Sequence, residues 1–126
     1  MLSTLLLVQK ENLPMHAGLV FYTPASDLSG AGDSTVFNSP CDALPASFSL
    51  ELVKQNYQGD VDGKDPLFSP VYGEFARGIP PTIITTGTRD LMLSNCVRLY
   101  WKLKGVGGGK VESLVGEACR TVFNVR

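Results

Sequence analysis

The residues from Ile79 to Leu93, IPPTIITTGTRDLML, constrain the fold of this chain more than any other stretch. Pro80 and Pro81 precede a β-branched run, Thr82-Ile83-Ile84-Thr85-Thr86. A run of this kind, framed by proline and glycine, suits a strand covered on both faces. Gly87 closes it, a short loop follows, and Asp90 stands just before a helical pattern. In open α/β sheets, ligands and catalytic groups collect outside the carboxyl ends of strands. The spacing therefore predicts a strand whose C-terminal loop presents a carboxylate.

Other segments repeat the theme. Leu2 to Glu11 reads as a buried helix that Pro14 forbids from continuing. Ala17 to Thr23, AGLVFYT, is a continuous apolar run between Pro14 and Pro24, as expected of a central strand. Ala25 to Pro45 reads as loop, Phe48 to Tyr57 as a helix, and Gln58 to Arg77 as loop with a short turn near Tyr72 to Phe75. From Leu91 to Lys104 the apolar residues Met92, Cys96, Leu99 and Leu103 form one helical stripe. Lys102 and Lys104 suit the last turn of that helix, and Gly105 suits the residue just past its end. Gly107 to Gly109 connects to a third strand, Lys110 to Val115. Strands alternating with helices predict a parallel sheet in one domain spanning 1–126.

Composition narrows the function classes. The chain is 44% hydrophobic and 18% charged with a formal net charge of −1, as in a globular domain. It has no basic run, which argues against a nucleic-acid surface. Cys41, Cys96 and Cys119 are widely spaced, odd in number and without metal-ligand spacing, and His16 is the sole histidine. A reduced, cytoplasmic setting without a bound metal is expected. The apolar start lacks a positive leader and a small-residue cleavage site, and no stretch reaches the ~20 apolar residues needed to cross a bilayer.

Several motifs have a plainer explanation than their first appearance. Gly32-Asp33-Ser34-Thr35-Val36 begins like a nucleophile elbow, but it lacks the second glycine and reads as a loop turn with no helix after it. His16 precedes a strand, at the end opposite the working edge of a parallel sheet, and reads as structural or surface-exposed. Asp60, Asp62 and Asp65 lack the glycine placement and the closing glutamate of a calcium loop and read as a solvated acidic loop. Gly105 to Lys110 follows a helix instead of a strand, so it is not a phosphate loop. Cys119 has no base beside it and reads as a small buried residue. Asp90 has two readings, a cap for the free N–H groups of Leu91 to Leu93 or an acid in a catalytic relay.

Segment by segment the chain resembles the bacterial hormone-sensitive-lipase-like carboxylesterases of the α/β-hydrolase superfamily. LPMHAGLVFYTPASDL is similar to the strand and loop after that family's nucleophile helix, Asp65-Pro66-Leu67-Phe68-Ser69-Pro70 to its DPLxSP stretch, and PPTIITTGTRDLML to its acid block. VESLVGEACRTVF is similar to its last strand and histidine loop. The resemblance implies a partial α/β-hydrolase fold of about three mostly parallel strands with flanking helices. It makes Asp90 the counterpart of the acid in a Ser-Asp-His triad. Laid down without a gap, the last block puts Thr121 at the family's histidine position. A threonine hydroxyl has no accessible proton equilibrium at neutral pH and cannot serve as the general base. On this alignment the nucleophile elbow and the oxyanion loop fall before Met1.

The resemblance therefore implies the C-terminal part of an esterase, with Asp90 a vestigial triad acid and no cofactor. Losing several triad members leaves little catalysis, since each alone is worth about 10⁴-fold or more. Three functions stay open: a truncated esterase inactive by itself, one half of a split esterase that needs an N-terminal partner, and a non-catalytic module that binds a small acyl ester. An edge strand at Ala17 to Thr23 with an apolar face would pair with other chains, so a homo-oligomer is expected.

Overall fold

A computed structural model describes residues 1–44, 52–107 and 109–121. Helix α1 (Leu2–Lys10) leads into strand β1 (Leu19–Tyr22) and the single-turn helix α2 (Ser34–Phe37). A π-helical turn (Lys54–Gln58) and a 3-10 turn (Pro70–Tyr72) precede strand β2 (Thr82–Gly87), helix α3 (Leu93–Val106) and strand β3 (Val111–Gly116). The helix expected over Phe48 to Tyr57 lies partly outside the described residues, and its described end is the π-helical turn. The short turn falls at Pro70–Tyr72, slightly before its expected place, because Pro70 supplies the fixed backbone angle that starts it.

The three strands form one parallel sheet in the order β1-β2-β3. Leu19 and Phe21 are level with Thr82 and Ile84 of β2, and Thr82 is level with Val111 of β3. Side chains alternate along a strand, so Leu19, Phe21, Ile84 and Val111 share one face. That face meets the stripe Met92, Cys96, Leu99 and Leu103 of α3, together with Leu2 and Leu5 of α1, in one core. The opposite face is open among the described residues except at Thr85, which is buried between its neighbours. Val20 is 48%, Tyr22 59% and Leu114 56% exposed. The run Ala17 to Thr23 thus reads in sequence as a strand covered on both faces, whereas here only one face is covered. Helix α1 is likewise buried on one side only, with Leu7 exposed.

Helix α3 differs from expectation at both ends. It begins at Leu93, because Leu91 and Met92 are taken up in a turn tied to Asp90. It runs through Gly105 to Val106, whose side chain packs on the core, and stops at Gly107, where φ is +74°. That left-handed angle is one a glycine adopts without steric cost.

A buried polar brace ties the loop after β1 to α3. Asp27 accepts from Arg98, from the Ser29 N–H at 2.8 Å and hydroxyl at 2.6 Å, and from the Tyr72 hydroxyl at 3.2 Å. Its own N–H donates to the Asn95 amide oxygen. Burial works against ionisation of Asp27, but the bonds from Ser29 and Arg98 outweigh it and hold the carboxyl below its usual range.

Candidate functional site

The site starts from the end of β2. Asp90 is 0% exposed, the third residue of the loop that follows β2, and every side-chain partner it has is short. The Thr86 hydroxyl donates to Oδ2 at 2.8 Å, and the Met92 N–H donates to Oδ1 at 2.7 Å. Asp90 does cap the turn before α3, though less broadly than the cap reading supposes. The Leu91 N–H is shared between Asp42 at 3.0 Å and the Thr121 hydroxyl oxygen at 3.3 Å, and the Leu93 N–H goes to the Asp90 backbone carbonyl at 3.2 Å. A buried carboxylate needs such donors, because desolvation without them is costly.

Gly87 lets the loop after β3 reach this carboxylate. A Cβ at Gly87 would collide with the Cys119 carbonyl, so only a residue without one fits. The two loops then interlock. The Thr88 N–H donates to Gly116 O and the Arg89 N–H to Cys119 O, both at 3.0 Å, and the Ala118 N–H donates to the Thr88 hydroxyl at 2.8 Å. Thr121 lands beside Asp90 as a result. Its hydroxyl lies 2.7 Å from Asp90 Oδ1, joining two residues 31 positions apart.

A third segment, read in sequence as loop, clasps both loops. Residues Ser34–Phe37 form a helical turn, which corrects the expectation that no helix follows Asp33. No strand precedes it, so it is not an elbow. The Ser34 hydroxyl donates to Leu91 O at 2.7 Å and accepts the Ser94 N–H at 2.9 Å, capping the start of α3. Ser94 returns the bond, accepting the Ser34 N–H at 3.0 Å. Asn38 donates to the carbonyls of Thr88 at 3.2 Å and Asp90 at 2.9 Å. Asp42 accepts the Leu91 and Thr121 N–H groups, each at 3.0 Å, and contacts the Thr121 hydroxyl at 2.5 Å. Burial raises the Asp42 carboxyl, but the Thr121 hydroxyl and the N–H groups of Leu44, Thr121 and Leu91 outweigh it and hold it below the usual range. Asn38 and Asp42 were missed in sequence, where they resemble ordinary turn residues. Their spacing of four was the one available hint.

The remaining candidates sit apart. His16 is exposed before the start of β1, against Met1, Gly18 and Val20. Six strand residues at ~3.3 Å each put it on the order of 20 Å from Asp90. Cys96 is fully buried beside Thr86 and Asp90, and burial pushes its thiol up to about 12. Cys119 is half-buried and Cys41 exposed, so the expectation of a buried Cys119 is only half met, its loop lying at the rim of the sheet. Asp62 and Asp65 accept the N–H groups of Lys64 and Leu67 within an exposed turn. Among the described residues no group of three or more His, Cys, Asp and Glu is placed to hold a metal, and no helix is long and apolar enough to cross a membrane. A cavity of about 580 Å³ opens between α1 and the end of β1, lined mainly by Leu2, Phe21, Tyr22, Leu28, Tyr57 and Phe68, and by neither Asp90 nor Thr121.

Comparison with known proteins agrees with this geometry. Residues 1–123 match a family model described as alpha/beta hydrolase fold. The chain is 32% identical over 89 residues to an esterase of Acinetobacter venetianus, covering 70% of this chain and 29% of that protein. It is 28% identical over 79 residues to an acetyl-hydrolase of Streptomyces hygroscopicus, covering 63% of this chain and 26% of that protein. Among solved structures, esterase E25 superimposes with a TM-score of 0.88 at 32% identity over 99% of this chain and 38% of its own. A hormone-sensitive lipase from a metagenome library gives 0.87 at 30% identity over 96% and 40%. The chain thus spans well under half the length of each of these relatives.

Proposed function

Since this chain belongs to the alpha/beta hydrolase fold family, among its hormone-sensitive-lipase-like esterases, we propose that it forms the acid-bearing part of a carboxylic-ester hydrolase. In that reading Asp90 is the triad acid and Thr121 stands at the position of the base. The observation that carries it is the 2.7 Å contact between Asp90 Oδ1 and the Thr121 side chain at the C-terminal edge of the sheet. An acid at this point holds an imidazole in the orientation that takes the proton from a serine hydroxyl as that oxygen attacks the ester carbonyl. A threonine there donates one hydrogen bond and takes up no proton.

We infer further that the 126-residue chain does not hydrolyse esters by itself. His16 is at the opposite end of the sheet, and Ser34 is engaged as a helix cap. An assay with p-nitrophenyl butyrate tests both parts. The chain alone should give no turnover above the blank. Joined to the residues that precede the matching region in the Acinetobacter esterase, it should gain turnover on Thr121→His, and Asp90→Asn should then remove about 10⁴-fold of it. Turnover by the unaltered chain, or indifference of the joined protein to Asp90→Asn, would refute the reading.

A self-associated state is the second part of the proposal, and the edge of β1 favours it. Leu19 and Thr23 donate to Pro81 O and Thr85 O, so by alternation Val20 and Tyr22 turn their backbone groups away from β2. The four residues of that edge, Leu19 to Tyr22, carry no charged side chain of their own. A two-fold axis at Phe21 would pair Val20 with the second copy's Tyr22 in an antiparallel ladder. Light scattering after size exclusion should give a mass above 13.6 kDa. Val20→Pro removes only an outward N–H and should yield a folded monomer. A monomer before any substitution would overturn this part.

A further inference from the structure

We infer that Asp42 is a second acid of this site, a positioning residue whose carboxylate sets residue 121 over Asp90. The inference rests on reading position 121 as that of the base. The two oxygens of Asp42 have separate tasks. Oδ1 accepts the Leu44 N–H at 3.0 Å and closes its own turn. Oδ2 faces outward from that turn and joins two loops that follow different strands, taking the Leu91 N–H from the loop after β2 and the Thr121 N–H from the loop after β3. Asp42 is 49 residues from Leu91 and 79 from Thr121, so no local turn accounts for these bonds.

Charge makes the arrangement specific. The Thr121 hydroxyl has one proton and lies 2.5 Å from Asp42 Oδ2 and 2.7 Å from Asp90 Oδ1. The side chain at position 121 therefore meets two carboxylate oxygens with a single donor hydrogen, beside the backbone N–H that already goes to Asp42. A cationic side chain at this position would satisfy both, and a neutral one leaves an excess of acceptors. Among the described residues the titratable groups facing position 121 are Asp42 and Asp90, with the Cys96 thiol behind Asp90. Cys119 is half-buried in the same loop, while Arg89, Glu117 and Arg120 on the flanking loops are exposed.

The test places an imidazole between the two acids in the full chain. In Thr121→His, NMR follows the titration of the introduced ring, with exposed His16 as the reference that must not move between variants. Adding Asp42→Asn should lower the midpoint of the introduced ring by about one pH unit, and adding Asp90→Asn should lower it at least as much, since an opposite charge within hydrogen-bond reach shifts such groups by about 1–3. A fall with Asp90→Asn alone overturns the role of Asp42 and leaves the base-position reading standing. A fall with Asp42→Asn alone keeps Asp42 and overturns the reading of Asp90. No fall with either overturns both. A readout that needs no substitution guards against a variant that fails to fold. In the unaltered chain the Leu91 and Thr121 amide shifts should titrate at one midpoint with the Asp42 carboxyl carbon, and distinct midpoints would overturn the inference.

Discussion

Replacing Ser34 by alanine separates the two meanings of the Gly32-Asp33-Ser34 triplet. If the serine is a cap, its hydroxyl supports the first turn of α3 through the Ser94 N–H, and it supplies a donor to Leu91 O. Losing the capping bond costs about 1 kcal/mol. Losing the second bond, with the residue buried, costs about 1 kcal/mol more. The expected loss is therefore about 2 kcal/mol. For 126 residues at ~2.1 cal/mol/K per residue, the unfolding entropy is about 0.26 kcal/mol/K, so Tm should fall by about 8 °C. Circular dichroism at 222 nm during heating and in urea measures both. Ser94→Ala removes the reciprocal acceptor of the Ser34 N–H, so the double variant should deviate from additivity by about 1 kcal/mol. A loss below about 0.5 kcal/mol, with an unchanged urea slope, would refute the capping role.

The same packing sets three further outcomes. Asp27→Asn should cost about 1–2 kcal/mol near neutral pH, a discounted figure because the Arg98 side chain is 36% exposed. The folded carboxyl lies below its unfolded value, so this stability is present above the unfolded pKa and is lost as pH falls through the folded one. Urea titrations from pH 7 to 3 should show the gap between parent and variant closing, and a constant gap would refute it. Gly87→Ala should destabilise by about 1–3 kcal/mol and free the β3 loop, because its Cβ meets the Cys119 carbonyl. Faster hydrogen exchange at the Arg89 N–H, the donor to that carbonyl, is the measurement, and unchanged exchange would contradict the interlock. An aromatic disulfide reagent at pH 8 should label exposed Cys41 promptly and Cys96 only after unfolding, given a thiol pushed up to about 12. Early labelling of Cys96 would contradict its burial.

Elements with a local signature were legible in the residues. The β-branched run Thr82 to Thr86 became β2, and the stripe Met92, Cys96, Leu99 and Leu103 became the buried face of α3. The ends of α3 were not legible, because they depend on neighbours. Ser34 sets its start from 60 residues away, and packing of Val106 carries the helix past Gly105. Asp90 was marked by its place after a strand and Thr121 only by the family resemblance, and the structure brings their side chains together. Asp42 and Asn38 carry no such mark, since an aspartate and an asparagine between turns look alike wherever they point.

By itself the sequence determined the order of the three strands with α1 and α3, the parallel sheet they imply, and the carboxylate after the end of β2. Periodicity and proline or glycine punctuation are enough for that, because they act over a few neighbouring residues. Only the tertiary structure decided what surrounds the carboxylate. The contacts that join its loops link residues 31 to 79 positions apart, and which hydroxyl or N–H meets which oxygen is set when three loops close on one another at the edge of the sheet.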